Sequence, residues 1–424
     1  MNVIRRRHYI PAMLIFIGSI ATAQPMALST LGVDATQASI PLNQVFSGGP
    51  PPQGIPALGF GGEWQGAVRA SNEPVFVSQA QASEWLGERE PVIAFVMNGE
   101  ARAYPLQILT WHEIANDVVG GVPVSVTFCP LCNSALAFDR RIPVSEDDLA
   151  EVQAFNEDAT VAALDEAYVA AYLRQTGEMP AENSLEVTFG VSGMLYKSNM
   201  LMFDSDTSTL WSQLSGDGNV GALTDTILLR YPAQIVGFGE FREAFPDALV
   251  LSRETGYSRG YGRNPYVGYD DVDSPAFLFR GEIDGRLTPK ARVISVFDAS
   301  GAVAYPFEVL AEARVVNDTI GDSPVVVFWQ EGTQSALDGA VIAESEDVGG
   351  AGIFSSEVDG QVLEFTWDGD TFTDTQTGST WNLLGQATAG ELAGSSLTPI
   401  VHDNTLWFSW AAFMPDTRIY SLND

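Results

Sequence analysis

The sequence predicts a β-rich α+β protein of two duplicated halves, each with a hairpin, a short helix and antiparallel strands. Three observations predict it. Short apolar runs alternate with turn signals along most of the 424 residues. Helical spacing is confined to brief stretches. Finally, residues 103–136 shifted by 201 fall on 304–337 without a gap, with 13 identities in 34 positions. Ala103-Tyr104-Pro105 meets Ala304-Tyr305-Pro306, Asn116-Asp117 meets Asn317-Asp318, and Ser134-Ala135-Leu136 meets Ser335-Ala336-Leu337. The copies continue loosely: Leu185-Glu186 resembles Leu363-Glu364, Trp211 resembles Trp381, and Pro246-Asp247 resembles Pro415-Asp416.

In chain order, Arg5, Arg6 and Arg7, an apolar run at 10–21 and Ala21-Thr22-Ala23 predict a signal peptide over 1–23, hence a periplasmic or secreted protein. The apolar run is too short to span a bilayer. Arg6-Arg7 also partly matches a twin-arginine signal. Residues 24–60 are rich in Ser, Gly and Pro and predict a flexible lead-in. A first repeat is assigned to 61–275. In it, Asn98-Gly99 between apolar runs predicts a hairpin. Leu106, Leu109 and Ile114 predict a helix over 106–117, followed by strands at 123–129 and 134–138. An acidic opening and Val161, Leu164, Tyr168 and Tyr172 at helical spacing predict a helical insertion at 140–183. Strand signals resume at 185–189. A second, degenerate repeat is assigned to 276–424, with a buried segment at 407–413.

The charge excludes some partners. There are 54 acidic and 21 basic residues, a net −33, and loss of the leader's three arginines makes it 18 − 54 = −36. Nucleic-acid binding needs clustered Lys and Arg, and anionic lipid repels such a surface. No later stretch is apolar for the ~18 residues a membrane span needs. Lysine occurs only at Lys197 and Lys290, which suits a saline habitat or simply an acidic exported protein.

Past the leader the chain has two cysteines, Cys129 and Cys132, and two histidines, His112 and His402. The repeat compares the protein with itself: His112 aligns with Ala313, Cys129 with Gln330 and Cys132 with Thr333. Three soft ligands present in one copy and missing together from the other predict a transition-metal site. Cys129 and Cys132 would supply thiolates, His112 an imidazole and His402 a fourth ligand, for copper or zinc and a metal-delivery or small-molecule partner. Two alternatives stand beside it. Cys129 and Cys132 form a thiol–disulfide redox pair, or a structural disulfide in a ligand-binding module built on the Tyr-rich and Trp-rich loops. Tyr257, Tyr261, Tyr266 and Tyr269 mark one such loop. Met200 and Met202 share a face, as core packing or as thioethers for Cu(I). Ser192 lacks a nucleophile-elbow setting. Glu113 and Asp117, at i and i+4, suit proton transfer or a solvated helix face.

Several segments resemble one family. They are Glu100 through Pro105, Trp111-His112-Glu113-Ile114 with Asn116-Asp117, and Phe128-Cys129-Pro130-Leu131-Cys132. Phe189 through Tyr196, Ser198-Asn199, Leu210-Trp211-Ser212-Gln213, Asn264-Pro265-Tyr266 and the tail from His402 through Phe413 extend the match. Together they resemble domain-of-unknown-function family 3179 from about residue 55 to 420. The resemblance implies an exported prokaryotic protein and marks the Trp-His-Glu and Cys-Pro-Leu-Cys segments as hallmarks, without giving them a role. Residues 140–183 depart from the family pattern.

Overall fold

A computed structural model describes residue 28 and residues 30–64, 67–69, 72–157, 159–298 and 300–422. The signal peptide expected at 1–23 lies outside the described residues. Strand outweighs helix, 38 % against 16 %, as expected for a β-rich α+β chain. No helix among the described residues is long and apolar enough to cross a membrane.

The expected hairpin forms between Pro91–Met97 and Glu100–Pro105. Its two-residue turn needs positive φ twice, and Asn98 (48°) and Gly99 (81°) supply it. Gln234–Gly237 pairs antiparallel with one edge and Leu249–Leu251 parallel with the other, joined by the helix Phe238–Ala244. The C-terminal half has the same arrangement. The hairpin Arg292–Asp298 with Gly301–Pro306 is flanked by antiparallel Asp403–Leu406 and parallel Arg418–Ile419. Here the joining helix is Trp407–Phe413, which buries Trp407, Phe408 and Trp410 as expected for that segment.

Each hairpin leads into a helix, Leu106–His112 or Phe307–Ala313. The first stops five residues short of the expected end at Asp117. Glu113 takes φ 59°, a left-handed conformation that terminates a helix, and its carbonyl accepts the Phe128 amide at 2.7 Å. Residues 114–119 then run as a strand, Ile114–Val119, antiparallel to Val122–Cys129, which pairs in turn with Ser134–Asp139. Arg314, φ 64°, makes the matching break before Val315–Ile320.

The halves also share polar fastenings. Asn116 brackets the Phe189 backbone, with Nδ2 donating to its carbonyl (2.9 Å) and Oδ1 accepting its amide (2.8 Å). Asn317 does the same to Phe365 (2.8 and 2.9 Å). Asp204 accepts from the Trp211 indole and Asp374 from Trp381, each at 3.0 Å. Tyr104 donates to Asp117 and Tyr305 to Asp318.

Two segments differ from expectation. Part of the stretch expected to be a flexible lead-in is woven into the first half. Val45–Ser47 pairs with Phe189–Tyr196, and Val45, Phe46, Leu58 and Phe60 are buried. Apolar residues spaced among Gly and Pro carry enough surface for burial without any periodic signal. The insertion at 140–183 holds helices Glu146–Phe155 and Glu166–Thr176, and also a small sheet of Arg141–Val144, Asn183–Glu186 and Val161–Ala163.

Asn116 is buried, whereas Asn317 stands in a more open position. Asn116→Ala removes the side-chain partner of the buried Phe189 amide and carbonyl and of the Ser125 hydroxyl and is expected to cost ~3 kcal/mol, against ~1 kcal/mol for Asn317→Ala. Urea unfolding of the two variants measures the difference, and equal costs would refute it.

Candidate functional site

Cys129 ends one strand and Ser134 opens the next, so the Cys-Pro-Leu-Cys segment is the turn between them. The Cys132 amide donates to the Cys129 carbonyl at 3.1 Å, closing a β-turn, and Asn133 (φ 54°) redirects the chain. Outside contacts then fix the turn. Leu406 donates its amide to the Cys132 carbonyl (2.8 Å), and the Tyr269 hydroxyl donates to the Leu131 carbonyl (2.8 Å). Asp403 accepts from the Ser134 hydroxyl (2.6 Å) and the Ala135 amide (3.0 Å). Asp403 and Leu406 come from the C-terminal half.

Both cysteines are free and buried, with their sulfurs 3.1 Å apart. Asn199 Nδ2 donates to Cys132 Sγ at 3.4 Å. That amide is aimed by its other bonds, to Gln213 Oε1 (2.9 Å) and from the Leu214 amide (3.0 Å). Burial pushes the Cys129 thiol well above its ordinary range, and the neighbouring Cys132 and Glu113 push the same way.

The histidines sit differently from the expected ligand set. His112 Nδ1 donates to the Pro56 carbonyl at 2.7 Å, so Nε2 accepts from the Tyr261 hydroxyl at 2.6 Å. Both ring nitrogens are thus engaged, tying residues 55–60 and the tyrosine loop to the helix end. Burial lowers His112 to about 4. His402 Nδ1 donates to the Ile400 carbonyl, and its Nε2 has no hydrogen-bond partner. Its cavity is a minor one shared with Arg230 and Phe297. Among the described residues, no three His, Cys, Asp or Glu side chains group as a metal site.

What lies beside the thiols is Glu113. The expectation of a solvated carboxylate on one helix face with Asp117 does not hold, because the helix has ended and Asp117 lies on a strand, paired with Arg102 at 2.7 Å. Glu113 is only 7 % exposed, and burial pushes its carboxyl up to about 8. It faces a pocket of about 600 Å³ whose walls include Leu131, Met194, Met200, Tyr266 and Tyr269. Burial raises both tyrosines, with Glu113 and Cys129 adding to Tyr266 and the two cysteines to Tyr269. Met200 is therefore both core and pocket wall. Lys290, lowered to about 8 chiefly by burial, lies 3.2 Å over the Tyr269 ring. A larger cleft of about 1100 Å³ is lined by Lys290, Asp270, Arg292, Glu331 and Asp347, and neither cysteine is among the lining residues of either space.

A family model matches residues 52–417. The chain belongs to DUF3179, a family of proteins of unknown function. No curated protein and no solved structure matches it. In this DUF3179 chain, sequence-distant segments of the match meet at one place. Cys129–Cys132, Asn199, Gln213 and the 402–406 segment all contact the turn or its immediate supports.

Glu113, marked in the sequence only as one of two carboxylates suited to proton transfer or a solvated helix face, is set by the repeat against Arg314. In the second half Arg314 pairs with Glu331 (2.9 Å) and stacks 4.7 Å over Trp329. Asp403 gave no signal, since its partners lie about 270 residues earlier in the chain.

Glu113 makes stability pH-dependent. Its folded pKa of about 8 exceeds the ordinary 4.5, so the folded state keeps a proton that the unfolded state releases. Stability from this group falls as pH rises from 4.5 to 8. His112 and His402, lowered from 6.5 to about 4, act oppositely, and their contribution falls as pH drops through that window. Glu113→Gln should match wild type near pH 4.5 and exceed it by ~3 kcal/mol near pH 8. Denaturation at the two pH values tests this, and a constant difference would contradict it.

Proposed function

We propose that Cys129 and Cys132 form a thiol–disulfide couple next to an apolar pocket, with Glu113 as the adjoining acid–base group. The sulfur separation of 3.1 Å carries this reading. Two sulfurs sharing one tetrahedral zinc at ~2.3 Å stand ~3.8 Å apart, and a disulfide spans ~2.05 Å. The pair lies inside the metal spacing and within a small closure of a bond, on a β-turn whose ends are near enough for a disulfide. The engagement of both His112 nitrogens supports the same choice over a Cys2His2 site. Copper or zinc held by the two sulfurs is the competing reading.

In the couple, two thiols lose two protons and two electrons and one sulfur–sulfur bond forms. An external acceptor takes the electrons, and its reduced form carries the protons away. We place this chemistry in an exported protein, supported by the leader signature at 1–23, since thiol pairs of this kind work where disulfides persist. Duplication of an ancestral module, supported by the matched pairings and fastenings, left the couple in one copy.

Equilibration with dithiothreitol buffers, read by thiol trapping and mass, tests the couple. Wild type should pass reversibly from two free thiols to none. Cys129→Ser and Cys132→Ser should keep one thiol each and accept a small thiol as a mixed disulfide. Thiols inert in the folded protein, or a stoichiometric metal that blocks trapping, would overturn the reading.

A further inference from the structure

The two sulfurs of the turn sit in unlike surroundings. Cys132 Sγ is met by donors: the Cys129 thiol at 3.1 Å and the Asn199 amide Nδ2 at 3.4 Å. Its own proton goes to the Ser198 carbonyl at 3.5 Å. The cation Lys290 also interacts electrostatically with Cys132. Around Cys129 the balance is opposite. Burial, then Cys132 and Glu113, disfavour charge there, and only the Met200 amide, the smallest of these effects, acts the other way. Cys129 and Cys132 are 1 % and 0 % exposed, so exposure does not distinguish them and the donors do.

The donor on Cys132 is built in place. Ser198 and Asn199 come from one tight hairpin turn, in which Lys197 (φ 51°) and Ser198 (φ 68°) link Tyr196 to Asn199. Such a turn favours glycine or asparagine, and two other residues held there in succession mark a constrained position. Lys197 anchors the turn by donating to the Ala412 carbonyl at 2.6 Å. The Asn199 amide is aimed by Gln213, whose own Nε2 donates to the Thr127 hydroxyl at 3.0 Å. The second half lacks this arrangement. Its hairpin of Phe365–Trp367 and Phe372–Asp374 is shorter, and the shift that sets Trp211 on Trp381 puts Leu383 at the place of Gln213.

We propose that Asn199 is a positioning residue that makes Cys132 the sulfur which keeps the electron pair when the disulfide opens. This rests on the thiol–disulfide couple proposed above. In the opening step the sulfur of an incoming thiol bonds to Cys129 Sγ and the Cys129–Cys132 bond breaks. Its electron pair stays on Cys132 Sγ, where the Asn199 N–H meets the developing charge, and the proton of the incoming thiol ends there. In the reverse step Cys132 Sγ bonds to Cys129 Sγ, and the external sulfur leaves with its electron pair and that proton. The opposite polarity would develop charge beside the Glu113 carboxyl.

Mercaptoethanol is the probe, applied to the full chain after oxidation, with free thiols trapped by N-ethylmaleimide and both groups located by fragment mass. In wild type, mercaptoethanol should be found on Cys129 and the maleimide on Cys132. Asn199→Ala should slow the opening ~3-fold, because a poorer leaving sulfur leaves more slowly, and should spread the adduct over both cysteines. Asn199→Asp keeps an acceptor for the Leu214 amide, loses the donor to sulfur and should slow it further. Gln213→Leu, which frees the Asn199 amide to turn away, should slow it as well. A merely structural Asn199 would loosen the turn when removed and speed the opening. Wild-type adducts on Cys132 or equally on both, or an Asn199→Ala chain that opens as fast as wild type or faster, would overturn the role and leave the couple standing. A chain that forms no disulfide in dithiothreitol buffers would overturn the couple and this role with it.

Discussion

The site hangs on a polar contact between the N-terminal and C-terminal halves of the chain. Asp403, on the strand Asp403–Leu406, grips Ser134 and Ala135 just after the cysteine turn, and Leu406 holds the Cys132 carbonyl. Asp403 is buried, and burial pushes its carboxyl up to about 7 against the pull of those two donors. Hydrogen bonds to such a group are worth ~1.5–3 kcal/mol each, and either side left unpaired costs a similar amount. The same strand pairs with Arg292–Asp298, so the sheet of the C-terminal half positions a turn of the N-terminal half. A change in how the halves pack would reach the sulfurs directly.

The halves use one frame for different ends. At the helix break, the first half has a buried Glu113 and the second an arginine. At the strand end, the first has Cys129, and the second has Gln330 beside Trp329. Arg314 over Trp329 and its pair with Glu331 cap this corner in the second half. In the first half the corresponding corner is left as a pocket wall. Burying a carboxyl that takes no protein hydrogen bond is costly for stability alone, whereas the two thiols pack as small apolar groups. Their presence at one corner, with a stable alternative available in the same frame, is a mark of use.

Much of the frame was legible because it rests on local chemistry. Asn98-Gly99 specified its turn, and alternating apolar residues specified the strands around Cys129. The gapless repeat matched segments with equivalent pairings up to the strand after the helix; beyond it Val122–Cys129 pairs on with Ser134–Asp139, whereas Ser323–Gln330 pairs on with Gly350–Ser355 and residues 335–337 form no strand. The helix end was not legible, because Ile114 continues the apolar spacing and only the left-handed Glu113 breaks the run. The burial of Phe46 and Leu58 was hidden by the Ser, Gly and Pro around them. At the site, the sequence marked Cys129 and Cys132 through their joint absence from the second copy. It marked His112 by the same logic, yet its ring binds Pro56 and Tyr261. A residue absent from one copy is specialised, but the specialisation can be structural. Asp403, Asn199 and the pocket depend on tertiary contacts that no local pattern encodes.

The electrostatics of the turn also narrow its chemistry. Exchange with dissolved disulfides runs through a thiolate, and low-pKa cysteines make one by sitting at a helix N-terminus or beside a cation. Here Cys129 lies at a strand end, buried, with a carboxyl nearby, and its pKa goes up. A Cys129 thiolate is thus disfavoured, and a charged partner would meet pocket walls that carry no Lys or Arg among the described residues. A reaction that moves protons together with electrons, between neutral reactants, avoids both penalties. In the proposed couple, the apolar pocket and the raised Glu113 carboxyl suit that kind of reaction.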